Sequence, residues 1–190
     1  FGPLSRLSAV YAPQHNRSDS STAARWHGNR AGVDYSLVGG EFGRDRMAGL
    51  DFASQIGGLG ARGEATTTRP ETGPGYARAV GGLDYAFPNT LILSAELYYN
   101  GAGASEPKDY DFASLFQGRI QNVGRRYAGA FAGYEITPLL KWNNYFVRNL
   151  ADRSRYFSPV LVYSLKASLD LSAGVQLFGG DEGSEYGAFR

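Results

Sequence analysis

A chain of 190 residues suffices for one domain with a sizeable buried surface, and 19 basic against 18 acidic residues leave a formal charge of +1, too weak a field to recruit nucleic acid. The absence of cysteine excludes a disulfide framework, thiolate metal sites and a cysteine nucleophile. With 26 glycines, 13 tyrosines and 11 phenylalanines against one methionine, the composition favours strands and turns, and no apolar run approaches the roughly eighteen residues of a membrane-crossing helix.

In chain order, strand-like sequence over 4–12 is followed by a polar segment over 13–24 that reads as a loop. Strand patterns over 30–42 and 47–59 flank a short turn at Gly43-Arg44-Asp45-Arg46, and the second loses phase at Gly57-Gly58, where a bulge would restore it. A second polar stretch over 60–75 leads to strands over 76–87 and 91–100, joined by a short turn at Pro88-Asn89. The longest loop, 101–124, precedes strands over 126–135 and 140–149 with a turn at Ile136-Thr137-Pro138 between them. A loop over 149–154, strands over 155–165 and 169–178 joined at Lys166-Ala167-Ser168, a loop over 179–184 and a tenth strand from Glu185 complete the reading.

Tight turns alternating with long polar loops are what an antiparallel transmembrane β-barrel presents at its two ends. The expected class is therefore all-β, a single barrel domain over 1–190 with about ten strands. Period-two alternation separates a wet face from a lipid face. The wet, lumen-facing set is Asp34, Asp51, Gln55, Arg78, Asp84, Glu96, Lys141, Asp170 and Gln176. The lipid-facing or interfacial set is Tyr85, Phe87, Leu91, Leu93, Leu97, Tyr99, Tyr134, Trp142, Phe146, Phe157, Leu161, Tyr163, Leu171, Val175 and Leu177, with rings gathered near strand ends as in membrane girdles.

Motifs with chemistry are few. His15 and His27 lie in or beside the first loop, and a surface hydrolase would need one of them within hydrogen-bond reach of a carboxylate such as Asp19, Glu64, Asp109, Asp111, Asp181 or Glu182. No spacing supports that, so no enzyme activity is expected. The glycines at 39, 40 and 43 and at 57, 58 and 60 open no helix and so cradle no phosphate; close packing or bulges explain them. Asp109 and Asp111 are a weak calcium pattern that solvation explains, and no metal or cofactor is expected. Arg119, Arg125, Arg126, Arg148, Arg153 and Arg155 cluster toward the loops, where lipopolysaccharide phosphates or bulk water would meet them.

The hairpin from Gly82-Leu83-Asp84-Tyr85-Ala86-Phe87-Pro88-Asn89 through Ala95-Glu96-Leu97-Tyr98-Tyr99-Asn100-Gly101 resembles porin-like outer-membrane proteins of Gram-negative bacteria. Phe157-Ser158-Pro159-Val160-Leu161-Val162-Tyr163 with Leu169-Asp170-Leu171-Ser172-Ala173-Gly174 extends the resemblance over about Gly75 to Arg190. The resemblance implies a chain about twice as long, with about sixteen strands, so that Phe1 falls inside a larger barrel and Ala188-Phe189-Arg190 stops partway along the last strand. The function it implies is passive diffusion of small hydrophilic solutes across the outer membrane. A non-conducting barrel that recruits a partner through its loops is the main alternative, and a surface hydrolase a weaker one. The partners expected are membrane lipid, lipopolysaccharide, the solutes, and either further copies of the chain or another outer-membrane protein.

Overall fold

The computed structural model describes residues 4–14, 19–118 and 120–189, and expectations for His15 and Arg119 fall outside them. The protein is all-β and antiparallel, with twelve strands among the described residues. Two compact units divide the chain, residues 1–81 and 82–190.

The first unit contains β1 (Arg6–Ala12), β2 (Ser21–Arg30), β3 (Val33–Phe42), β4 (Asp45–Ile56), β5 (Leu59–Arg69) and the start of β6 (Tyr76–Ala86). From β1 to β5 each strand pairs with the next in unbroken antiparallel register. One end of this meander carries the two-residue connections at 31–32 and 57–58; the other carries 13–20, 43–44 and 70–75.

Two of these strands correct the sequence reading, which placed the start of β2 in the loop 13–24 and assigned no strand to 25–29, and which placed nearly all of β5 in the loop 60–75. Both are rich in Gly, Ala, Thr and Arg, so their hydropathy hardly alternates. Aromatic neighbours supply the missing bulk. Gly28 stands opposite Tyr35 and Gly63 opposite Phe52, and a Cβ at either glycine would run into that ring. A ring laid across a strand glycine covers backbone that would otherwise be bare. The bulge expected at Gly57-Gly58 is instead the β4 to β5 turn, with Gly57 at φ +61. The turn at Gly43 lies at the long-loop end, because inserting β2 reverses the direction of the strand that leads into it.

The second unit contains the rest of β6, then β7 (Ile92–Asn100), β8 (Arg126–Thr137), β9 (Leu140–Asn149), β10 (Arg155–Lys166), β11 (Leu169–Gly174) and β12 (Leu177–Gly179). From β7 to β11 consecutive strands pair, and β12 continues along β10 beyond the end of β11. The strand expected over 169–178 is thus two, interrupted at Val175-Gln176. Residues expected to begin a tenth strand form a 3-10 turn at Tyr186–Phe189, because Glu185 is drawn into buried hydrogen bonds rather than a ladder. The 101–124 segment holds a one-turn helix, α1 (Phe112–Phe116), whose first turn is capped by Asp111 accepting from the Ser114 N–H at 2.9 Å.

Neither unit has a dry sandwich core. Among the described residues the buried hydrophobic side chains are Tyr110, Val123 and Tyr127, all in the second unit. Many of the other large apolar side chains, Leu7, Leu37, Leu50, Leu97 and Leu171 among them, are exposed.

Candidate functional site

Directly opposed residues in a ladder share a face, so the registers sort every strand residue to one side or the other. In the first unit Leu7, Trp26, Leu37, Leu50 and Ala65 form one rung, and Ala9, Ala24, Gly39, Ala48 and Thr67 the next. Leu7, Leu37 and Leu50 are 64%, 52% and 49% exposed. The opposite side carries Arg6, His27, Ser36, Asp51 and Glu64 in one rung, flanked by Arg25 on one side and by Asn29, Asp34 and Arg62 on the other.

Those charges interlock. The Arg25 guanidinium donates to Ser36 Oγ at 2.8 Å and pairs with Asp51 at 3.2 Å, and Asn29 Nδ2 donates to Asp34 at 2.8 Å. Ser36, His27 and Asp34 make a triad-like grouping, with His27 Nδ1 3.3 Å from Ser36 Oγ and Nε2 3.9 Å from Asp34. Its geometry does not favour nucleophilic attack. Ser36 is 1% exposed, its oxygen already accepts from Arg25, and the second His27 contact exceeds hydrogen-bond length. It is built as a cross-strand polar network.

In the second unit Tyr134, Trp142, Leu161 and Ala173 form a rung, as do Ala95, Ala130, Phe146, Phe157 and Leu177. Leu93, Leu97, Tyr99, Tyr163 and Leu171 lie on this same side, with Leu97 65% exposed. Asn144 interrupts the face and turns its amide into the wall, donating to the Ala132 carbonyl at 3.3 Å. Of the other residues expected there, Tyr85 is in β6, Phe87 follows it, Leu91 precedes β7, and Val175 lies between β11 and β12.

The opposite side of this unit carries Glu96, Glu135, Lys141 and Asp170, with Lys141 donating to Glu135 at 2.9 Å. Asp84 shares the side of Gly82, where a Cβ would press on the Glu96 side chain. Asp34, Asp51 and Gln55 occupy the polar side of the first unit, Arg78 stacks over the Tyr76 ring at 4.8 Å, and Gln176 lies between β11 and β12. This side is also aromatic: Phe131 packs on Tyr145 at 5.1 Å and Tyr156 on Phe178 at 5.3 Å.

One buried polar cluster was invisible in the sequence. Asn149, wholly buried at the end of β9, donates through Nδ2 to the Tyr110 hydroxyl and to Glu185 Oε2, both at 2.9 Å, with Asp152 at 3.4 Å. Glu185 Oε1 accepts from the Val123 N–H at 3.3 Å, and the Tyr127 hydroxyl accepts from the Gly124 N–H at 2.6 Å. Burial raises the Glu185 carboxyl above its ordinary value and Asp152 pushes the same way, while hydrogen bonds from Tyr127, Val123 and Asn149 oppose the rise. Burial likewise raises the Tyr110 hydroxyl, with the Asp152 charge adding to it. The cluster clamps 101–124 and the segment after β12 onto the end of β9. Asp152-Arg153-Ser154, where Asp152 accepts from the Ser154 N–H at 2.7 Å, signals a turn in sequence but not this convergence.

At the long-loop end of the first unit, Arg44 reaches Glu71 at 2.7 Å and Asp19 at 3.5 Å, and the Glu71 N–H donates to Asp45 at 2.9 Å. The three connections at that end are thereby tied together.

These features define a class, an antiparallel meander with one apolar and one polar face. No protein-family model, curated protein or solved structure matches the chain.

Proposed function

We propose that the protein is an integral outer-membrane β-barrel whose apolar side meets lipid hydrocarbon and whose polar side lines a passage for small hydrophilic solutes. The observation that carries this reading is the pair of opposed faces: in both units exposed leucines and aromatics stand in continuous rungs behind a side of interlocked charges. Each such side chain would gain about 1.5–3 kcal/mol on leaving water, and these sheets have no second layer to receive them. Lipid supplies that layer. Wall charges of both signs, Arg25, Asp51, Glu64, Glu96, Lys141 and Asp170 among them, would select solutes through a transverse field. Single-channel conductance of the full-length protein in planar bilayers tests it; a stably inserted protein that passes no current refutes the channel.

A second reading has its own support. The polar side of the second unit is crowded by Phe131, Tyr145, Tyr156 and Phe178, and the 101–124 segment is clamped by Asn149 and Glu185. A filled interior is what a non-conducting barrel that recruits a partner through its loops would have. Inserted protein without current, together with stoichiometric recovery of a partner lost on deleting 105–120, would favour this reading.

A further inference from the structure

On the second unit's apolar side, one rung runs Leu97, Ala128, Arg148, Arg155 and Gly179, next to the rung of Phe146, Phe157 and Leu177. Arg126, opposite Tyr99, is on the same side one rung further toward the long loops. All three arginines are exposed. Among the described residues no ion pair joins any of them to a carboxylate.

This placement is unfavourable by itself. Arg148 and Arg155 are directly opposed, and like charges in that relation repel. Several cations elsewhere are matched, Arg25 with Asp51, Arg44 with Glu71 and Lys141 with Glu135. Gly179 adds to the arrangement, because it leaves the space that the Arg155 side chain crosses; a Cβ there would come within 3.2 Å of Arg155 Nε. The Arg155 stem thus leans across Gly179 on β12, on the side of β10 away from Arg148. An anion seated between the two would turn repulsion into paired charge-assisted hydrogen bonds, and planar guanidinium forks suit phosphate oxygens.

We propose that Arg126, Arg148 and Arg155 form a binding site for the phosphate of a membrane lipid headgroup, whose acyl chains lie along Leu97, Phe146, Phe157 and Leu177. The site rests on the membrane reading above, since only a lipid brings phosphate and hydrocarbon to adjacent rungs of one face. A free phosphate would use the arginines and leave the apolar rungs idle.

The test uses the full-length protein in phosphatidylcholine vesicles, with and without a few per cent of diphosphorylated lipid A. Native mass spectrometry counts retained lipid, and flotation with the vesicles reports insertion. Arg148→Gln with Arg155→Gln should weaken lipid A retention about tenfold or more while flotation is unchanged. Arg148→Lys should lose an intermediate share, because it keeps charge but not the fork. Arg6→Gln, on the opposite face, should change nothing. Equal retention by wild type and double variant, both inserted, overturns the site and leaves the membrane reading standing. Displacement of lipid A by millimolar inorganic phosphate overturns the lipid as the ligand. Failure of wild type to float with vesicles overturns both.

Discussion

Replacing Asn149 by alanine probes the clamp on the 101–124 segment. The amide is fully buried and makes two 2.9 Å donations, to the Tyr110 hydroxyl and the Glu185 carboxylate, while its oxygen accepts from the Ala151 N–H at 2.9 Å. A hydrogen bond to a charged group contributes about 1.5–3 kcal/mol and each neutral one about 1 kcal/mol, so the deletion should cost about 3.5–5 kcal/mol. Denaturant unfolding of the folded protein, followed by fluorescence of its two tryptophans, reads that loss. Limited proteolysis supplies a local readout, with cleavage inside 101–124 expected to accelerate well before the strands open. A loss below about 1 kcal/mol with an unchanged cleavage pattern would show that the segment is held by something other than this amide.

Gly124→Ala should act on the same cluster, since a Cβ at 124 would collide with the Asn149 amide and the Tyr127 hydroxyl; its cleavage pattern should match that of Asn149→Ala. Because burial raises the Glu185 carboxyl above its ordinary 4.5, the folded protein holds that proton more tightly, so this contribution to stability is full below 4.5 and is lost as pH rises through the folded value. Glu185→Gln should flatten the fall in unfolding midpoint above pH 4.5, and an unaltered slope would assign it to other groups. Arg44→Ala should leave the global unfolding midpoint unchanged, because the side chain is exposed, yet speed proteolysis at 70–75 where Glu71 is released. Leu37→Arg, in the middle of an apolar rung, should cost about 2–4 kcal/mol of insertion into vesicles, against almost nothing if that face meets water; equal insertion yields for variant and wild type would count against lipid contact.

Alternation in the sequence was sufficient to find β6, β7, β10 and β11, where apolar residues recur every second position, and was weaker in β9, whose Trp142 and Phe146 share a face with Asn144 and Arg148. It failed at β2 and β5. There the apolar side is mostly alanine, glycine and threonine, with Trp26 and Leu59 the exceptions, and much of the bulk over it comes from Tyr35 and Phe52 on the adjacent strands. Hydropathy read along one strand carries no record of a ring contributed by another. Missing those two strands also put the Gly43 turn at the wrong end.

Composition and period two by themselves determined that the chain makes antiparallel strands with a greasy and a wet side, because pleating sends successive side chains to opposite faces whatever the register. Which charges meet was decided only in three dimensions. Arg25 finds Ser36 and Asp51, Arg148 stands beside Arg155, and Asn149 gathers Tyr110 and Glu185 from segments 39 and 36 residues away, since ladder register and loop return bring distant positions within a few ångströms. Those proximities follow from closing backbone hydrogen bonds across the sheet, a constraint on pairs of strands that no single stretch of sequence expresses.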